Sequence, residues 1–137
     1  MKYLLDTNIC IYIANRRPEH VKQRFARCRP GDLGISVVTW MELLYGAARS
    51  TQRERTLIAL HEFAKAVPVL DLPPVAAEHY ARIRVTMEHA GTPIGAFDAL
   101  IAAHALALKL TLVTNNVREF HRVKGLKIQN WAAAESQ

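Results

Sequence analysis

The sequence has 137 residues, of which 50% are hydrophobic and 22% are charged. This composition excludes intrinsic disorder and suits one folded domain, which we expect to span residues 1–137. No apolar run approaches the roughly 20 residues that a membrane-spanning helix needs, and the N-terminus lacks a signal-peptide pattern. We therefore expect a cytoplasmic protein with no membrane partner. The formal net charge of +6 favours a polyanionic partner such as nucleic acid, although the charge could serve solubility alone.

Cysteines and histidines indicate neither a disulfide framework nor a zinc site. The two cysteines, Cys10 and Cys28, occur in a chain that is long enough to fold without disulfide bonds. The six histidines show neither an HxxxH spacing nor a pairing with cysteine. We therefore expect reduced cysteines and no zinc site.

Short apolar runs alternate with helical patterns along the whole chain. In chain order, the pattern predicts a strand over residues 3–5, helices over 9–14 and 18–27, a strand over 33–38, helices over 39–49 and 51–66, a strand over 69–72, helices over 73–89 and 96–108, a strand over 110–113 and an edge strand over 126–129. The 39–49 helix is predicted to begin at Thr39, because Thr39-Trp40-Met41-Glu42 has the form of a capping box.

Strands that are separated by helices predict an α/β fold with a mainly parallel central sheet covered on both faces. In open sheets of this kind, ligands bind beyond the carboxyl ends of the strands. We therefore expect a functional site at that edge of the sheet.

Three acidic residues are predicted to meet at this edge. Asp6 follows the first strand, and Glu42 and Asp98 lie in the first turns of predicted helices. Each acid also has a structural interpretation: Asp6 as a turn or cap residue, Glu42 as the end of the capping box, and Asp98 as an acid at a positive helix end. Their coincidence within apolar segments favours a shared site, because buried carboxylates repel one another unless a cation is bound.

Hard carboxylate oxygens favour Mg²⁺ or Mn²⁺ as that cation. In a basic protein the matching reaction is phosphodiester hydrolysis, since a divalent ion can activate water and offset charge on the leaving oxygen. A metal-dependent DNase remains open at this point. A phosphoaspartate phosphatase is less favoured, because Asp6-Thr7-Asn8 lacks the DxD motif that it needs.

Four segments of the chain resemble the PIN-domain ribonucleases, and more narrowly the VapC toxins of type II toxin–antitoxin pairs. They are YLLDTNICIY, ISVVTWMELLYGA, GTPIGAFDALIAAHAL and TLVTNNVREFHRVKGLKIQNW, in the order and spacing of that family. The resemblance implies a PIN-like three-layer α/β/α domain. It also matches Asp6, Glu42 and Asp98 to the family's Mg²⁺- or Mn²⁺-coordinating acids, and so implies a metal-dependent endoribonuclease.

A fourth member of the site has two candidates. Many PIN domains carry an Asp after the last core strand, where this chain offers Asn116 and then Glu119. Asn116 could contact a water ligand without adding charge, whereas Glu119 could also bind the ion itself. As alternatives, Asn116 is a turn residue and Glu119 a surface acid. Supporting positions beside the same edge are Thr7, Asn8 and Thr114.

Basic residues cluster in two segments that could hold RNA phosphates. The first group is Arg16, Arg17, Lys22, Arg24, Arg27 and Arg29, and the second is Arg118, Arg122, Lys124 and Lys127. Solvated helix faces are the alternative interpretation of both groups. Trp40 and Trp131 could stack on bases, although core packing is the favoured interpretation for both.

The resemblance also implies a substrate and partners. Relatives suggest cleavage of tRNA, including initiator tRNA at the anticodon loop, and hence inhibition of translation. A cognate VapB-type antitoxin would wrap the toxin with its C-terminal segment and direct a basic side chain at the acids. A homodimer, a larger toxin–antitoxin assembly and operator DNA bound only through the antitoxin are further expectations. The remaining alternatives are a non-catalytic RNA- or antitoxin-binding subunit and the DNase.

Overall fold

A sheet of five parallel strands forms the centre of the structure, a computed structural model that describes residues 1–132. The strands are β1 (Tyr3–Leu5), β2 (Leu33–Ser36), β3 (Val69–Leu70), β4 (Thr111–Val113) and β5 (Ile128–Gln129), in the spatial order β3-β2-β1-β4-β5. The predicted parallel sheet is confirmed, with strands up to two residues shorter than the patterns suggested. The last five positions of the predicted 1–137 domain lie outside the described residues.

Helices connect the strands. They are α1 (Thr7–Asn15), α2 (Glu19–Arg27), α3 (Val37–Arg49), α4 (Arg53–Ala66), α5 (Ala76–His89), α6 (Ala96–Leu108) and α7 (Val117–Phe120). The sequence patterns predicted all of them except α7, whose four residues are too few to show a helical period. Within residues 1–132, no helix is long and apolar enough to cross a membrane.

Two apolar cores cover the two faces of the sheet. Neighbouring strand residues point to opposite faces, so Leu4 and Leu112 pack in one core while Leu5 and Val113 pack in the other. Most buried residues of the first core come from α5 and α6, whereas α1, α2 and α4 contribute to the second. The expected three-layer α/β/α arrangement is therefore confirmed.

The start of α3 differs from the sequence prediction. Strand β2 ends at Ser36, whose Oγ accepts a hydrogen bond from Val38 N at 3.1 Å and so caps α3. Thr39 is consequently the third residue of the helix, and its predicted role as the cap is wrong. Glu42 lies in the second turn instead of the first. The capping-box interpretation of Glu42 is therefore wrong, because a capping box needs the acid in the first turn of the helix.

A buried hydrogen bond joins α6 to this helix start. His104 is fully buried, and its Nδ1 lies 2.8 Å from Ser36 Oγ. Burial lowers the pKa of the imidazole and favours its neutral form. The pair fixes α6 against the N-terminus of α3, the two helices that carry Asp98 and Glu42.

The strand order reverses direction beside β1. The chain runs outward from β1 through β2 to β3, and then returns to place β4 and β5 on the other side of β1. Such a switch point leaves a crevice beyond the carboxyl ends of the two strands that flank it. Asp6 and Thr114 follow β1 and β4, and therefore lie at this crevice.

Candidate active site

Asp6 is the most buried acid at the switch point, with 5% of its surface exposed. Its Oδ1 accepts a hydrogen bond from Ile9 N at 2.9 Å and caps α1, so the structural interpretation holds for one oxygen. Its Oδ2 accepts a hydrogen bond from Thr114 Oγ1 at 2.5 Å. Burial nevertheless raises the pKa of Asp6 above its ordinary value, and the negative charge of Glu42 adds to that effect.

Glu42 reaches the same site from α3. Its Oε1 accepts a hydrogen bond at 2.7 Å from the Oγ1 of Thr7, the residue that follows Asp6. A half-buried carboxylate is thereby tied to the first turn of α1. Thr7, which the sequence placed beside this edge of the sheet, thus contacts Glu42 directly.

Asp98 is the third residue of α6 and is half-buried. Its pKa is raised from 3.8 to about 7, first by burial and then by the hydrogen bond and charge of the neighbouring Glu119. The negative charges of Glu42 and Asp6 raise it further. The carboxylates are thus close enough to repel one another.

Asn116 and Glu119 are joined, whereas the sequence offered them as alternatives. Asn116 Nδ2 donates a hydrogen bond to Glu119 Oε2 at 2.6 Å, and Asn116 N donates one to Thr114 Oγ1 at 2.9 Å. The short helix α7 sets the three-residue spacing that makes the first contact. Glu119 therefore connects Asp98 to Asn116, and both candidates for the fourth position belong to the same network.

The acids line a small pocket of about 130 Å³. Its lining consists of Asp6, Thr7, Asn8, Glu42, Asp98, Ile101, Asn116 and Phe120. Pockets that enclose drug-sized ligands measure roughly 300–1,000 Å³, so this pocket suits an ion and its water molecules better than an organic cofactor. The lining thus includes the predicted trio and three of the five supporting residues. The other two, Thr114 and Glu119, contact Asp6 and Asp98.

The pocket residues fit a hard divalent cation. Its charged donors are carboxylate oxygens. Burial and the neighbouring negative charges raise the pKa values of Asp6 and Asp98, and a divalent cation would offset that repulsion. Within residues 1–132, no three His, Cys, Asp or Glu side chains could hold a metal ion as they stand. Mg²⁺ does not require such a set, because it commonly takes one or two protein carboxylates and keeps several water molecules.

The first basic segment does not line this pocket. Arg16 ends α1 in a left-handed conformation with φ 56°, and Arg17 and Arg27 are exposed. Arg24 donates a hydrogen bond to Gln129 Oε1 at 3.0 Å, and its guanidinium lies 5.6 Å from the ring centre of Trp131. Arg24 therefore already has a role in packing α2 against the end of the sheet.

The tryptophans pack within the fold. Trp131 is 1% exposed and meets Tyr3 edge to face, with ring centres 5.4 Å apart. Base stacking by Trp131 is therefore wrong, and the core interpretation is confirmed. Trp40 is half-buried beside His61, with ring centres 5.5 Å apart.

An apolar groove beside the acids was missed by sequence reasoning. It measures about 260 Å³ and lies between α1, α3 and α4, where its lining includes Ile11, Leu43, Gly46 and Phe63. Thr7 and Glu42 line both this groove and the acidic pocket, so the two cavities adjoin. The available sequence signal was Gly46 in the middle of a helix, where a residue that lowers helix stability leaves a gap in the side chains along the helix face.

Comparison with known proteins identifies the class to which this fold and site belong. The PIN-domain model matches residues 3–126, which is most of the chain. The protein therefore belongs to the PIN-domain family, whose fold is that of a nuclease.

Individual relatives narrow the class further. The tRNA(fMet)-specific endonuclease VapC of Shigella flexneri is 44% identical over 132 residues, which cover 96% of this chain and 99% of the relative. Ribonuclease VapC2 of Haemophilus influenzae is 41% identical over 131 residues, covering 96% of this chain and 98% of the relative. A chain in the crystal structure of DNA-bound VapBC from Salmonella typhimurium superimposes with a TM-score of 0.89 at 42% identity, covering 96% and 98% of the two chains. Within the PIN-domain family, this chain is a ribonuclease of the VapC group.

Proposed function

We propose that this protein is the toxin of a VapB–VapC pair and cleaves tRNA at the acidic pocket with Mg²⁺ or Mn²⁺. The observation that carries the proposal is the convergence of Asp6, Glu42 and Asp98, from three separate segments, on one pocket at the switch point of the sheet. The proposal includes one PIN domain over residues 1–137 and action in the cytoplasm.

The side chains of the pocket have distinct roles in this proposal. Asp6 and Asp98 would hold the cation, with Glu42 or Glu119 contacting it directly or through water. A bound divalent ion would lower the pKa of a water molecule, orient the phosphate and offset charge on the leaving oxygen.

The residues around the carboxylates would keep them in place. Thr114 and Thr7 fix the orientations of Asp6 and Glu42 through the hydrogen bonds described above. Asn116 holds Glu119 beside Asp98. Such outer contacts typically change metal affinity or activity 10–100-fold when they are removed.

Initiator tRNA is the proposed substrate. The support is the 44% identical relative from Shigella flexneri, whose name states that it is specific for tRNA(fMet). The net charge of +6 suits a polyanionic substrate. We place the cut in the anticodon loop by family resemblance.

The apolar groove is the proposed binding surface for the antitoxin. Similar chains occur in VapBC complexes, including the DNA-bound complex from Salmonella typhimurium. A segment lying between α1, α3 and α4 would bury apolar side chains and bring a basic residue within reach of Glu42, which lines the groove and the pocket alike. Homodimer formation, a larger assembly and indirect contact with operator DNA complete the proposal.

The test is cleavage by antitoxin-free protein. Total RNA is incubated with the wild-type protein or with Asp98→Asn, with Mg²⁺, with Mn²⁺ or with EDTA, and new ends are mapped. We expect one or a few cuts in tRNA that require both the metal and Asp98. Asp71→Asn is the matched control, because Asp71 is exposed and does not line the pocket.

Three outcomes would contradict the proposal. Equal cleavage by wild type and Asp98→Asn would reject the site. Cleavage of double-stranded DNA in preference to RNA would favour the DNase. Absence of cleavage together with intact antitoxin binding would favour a non-catalytic subunit.

A further inference from the structure

A second groove lies on the other side of the domain from the apolar one. It consists of two adjoining cavities of about 370 and 300 Å³, which share Leu106 and Gly125 in their linings. Its walls are α5, the C-terminal half of α6 and the segment 122–127. At this size the groove is several times larger than the acidic pocket and could hold more than one nucleotide unit.

Only positive charge lines this groove. The cationic residues in its lining are Arg82, Lys109, Arg122, Lys124 and Lys127, and no residue that lines it among positions 1–132 is acidic. These residues come from three parts of the sequence, and Arg82 and Lys109 lie outside both basic segments. Like charges that face one cavity repel one another, and an anionic ligand removes that repulsion.

Among residues 1–132, none of these cations forms an ion pair with a carboxylate. Arg82 Nη2 lies 2.9 Å from Nδ1 of His79. Its helix neighbour Arg84 forms the ion pair with Glu88 at 3.2 Å. The positive charge of the groove is therefore available to bind an anionic ligand.

The groove leads to the acidic pocket. Phe120 lines the pocket and Arg122 lines the groove, and two residues of chain span at most about 7 Å. α6 contributes to both cavities, with Asp98 and Ile101 at the pocket and Leu106 at the groove. A chain of phosphates could therefore extend from one to the other.

We propose that this groove binds the sugar–phosphate backbone of the RNA whose scissile bond lies in the acidic pocket. The inference rests on the proposed function and deepens it by assigning the surface that holds the rest of the substrate. Phosphate contacts of this kind set the position of a nucleic acid without reading its sequence. An acidic segment of a protein partner is the competing occupant, and the uniform positive charge leading to a phosphodiester-cleaving site favours RNA.

The experiment compares two triple variants with the same change of charge. Arg82→Gln, Arg122→Gln and Lys124→Gln together neutralise the groove. Arg53→Gln, Arg55→Gln and Lys65→Gln together neutralise exposed positions of α4. Binding of an initiator-tRNA transcript is measured in EDTA, which prevents cleavage, over a series of salt concentrations between about 50 and 200 mM.

We expect the groove variant to bind the transcript at least about tenfold more weakly than wild type. The negative slope of the logarithm of the association constant against the logarithm of the salt concentration should become shallower by about 2 to 3. Each lost phosphate contact removes roughly 0.7–0.9 from its magnitude. The α4 variant should retain most of the wild-type affinity. Circular dichroism of both variants checks that they are folded.

Other results would overturn the inference. Unchanged affinity and slope in the groove variant would show that RNA does not lie there. Equal losses in the two variants would show an effect of net charge alone. Retained RNA binding with lost antitoxin binding would assign the groove to a protein partner. Failure of the proposed function is distinct, since the wild-type protein would then not cleave RNA with Mg²⁺.

Discussion

Thr114 Oγ1 donates a 2.5 Å hydrogen bond to Asp6 Oδ2, joining the ends of β4 and β1 across 108 positions of sequence. The same hydroxyl oxygen accepts a hydrogen bond from Asn116 N at 2.9 Å. Thr114 is fully buried, so its hydroxyl is shielded from solvent. One side chain thereby holds Asp6 and begins the turn that brings Asn116 to the pocket.

Replacing this hydroxyl should weaken metal binding without changing the fold. Thr114→Val keeps the size of the side chain but removes the donor to Asp6. We expect the Mg²⁺ concentration for half-maximal cleavage to rise about 10–100-fold, the range for residues that orient metal ligands. Titration of cleavage rate against Mg²⁺ measures it, and Thr114→Ser, which retains the hydroxyl, is the control. An unchanged metal requirement in Thr114→Val would refute this role.

Stability without metal should fall as pH rises. The pKa of Asp98 is about 7 in the folded protein and 3.8 as its ordinary value, so the folded state binds the proton more tightly. The contribution of this protonation to the free energy of unfolding is fully present below about pH 4 and is lost as the pH rises through about 7. A divalent cation favours the ionised carboxylate and should therefore stabilise the protein more at pH 8 than at pH 5.5.

Thermal melts with and without Mg²⁺ at both pH values test this expectation. Asp98→Asn removes the titrating group while all other titrating groups remain, so the difference between the two proteins isolates its effect. We expect the gain in Tm from Mg²⁺ to increase with pH in the wild type only. A gain that is the same at both pH values in the wild type would contradict the expectation.

Gly46 provides a test of the apolar groove. A Cβ built at Gly46 meets no atom within 4 Å, and the residue lies inside α3. Gly46→Ala should therefore fit and stabilise the protein by about 0.5–1 kcal/mol through better helix propensity. Gly46→Trp should fill the groove and weaken antitoxin binding at least tenfold, as measured by calorimetry. Equal antitoxin affinity in both variants would show that the antitoxin binds elsewhere.

The buried pair of His104 and Ser36 should contribute to stability. His104→Ala leaves a cavity and removes a hydrogen-bond partner of Ser36, and we expect a loss of about 2–4 kcal/mol in the free energy of unfolding. Urea denaturation measures it. His20→Ala, at an exposed position of α2, should change the free energy by less than about 0.5 kcal/mol. Similar values for the two variants would contradict the importance of the buried pair.

Sequence reasoning was sufficient where local patterns and the topology of parallel sheets decide the outcome. Asp6 follows an apolar run and therefore had to lie at the carboxyl edge of the sheet. Asp98 lies in the first turn of a nearly all-apolar helix, a pattern that predicted a buried helix. Glu42 reaches the expected pocket, but α3 begins at Val37, because Ser36 caps the helix three residues before the predicted cap Thr39.

Very short helices and contacts between distant segments could not be predicted from the sequence. Helix α7 has four residues, so no period indicated that Asn116 would bond to Glu119 instead of competing with it. The cationic groove combines Arg82 of α5 with Lys124 of the segment after α7, which line one cavity only because both segments lie beside Leu106 of α6. The engagement of Arg24 with Trp131 likewise could not be read from a run of basic residues.

We propose that a divalent cation binds between Asp6 and Asp98. The most direct measurement is anomalous X-ray diffraction from crystals of the antitoxin-free protein grown with Mn²⁺. We predict an anomalous peak within coordination distance of both carboxylates, and its loss in Asp98→Asn. A fully active protein whose crystals show no peak in this pocket, or whose only Mn²⁺ lies elsewhere, would contradict the account.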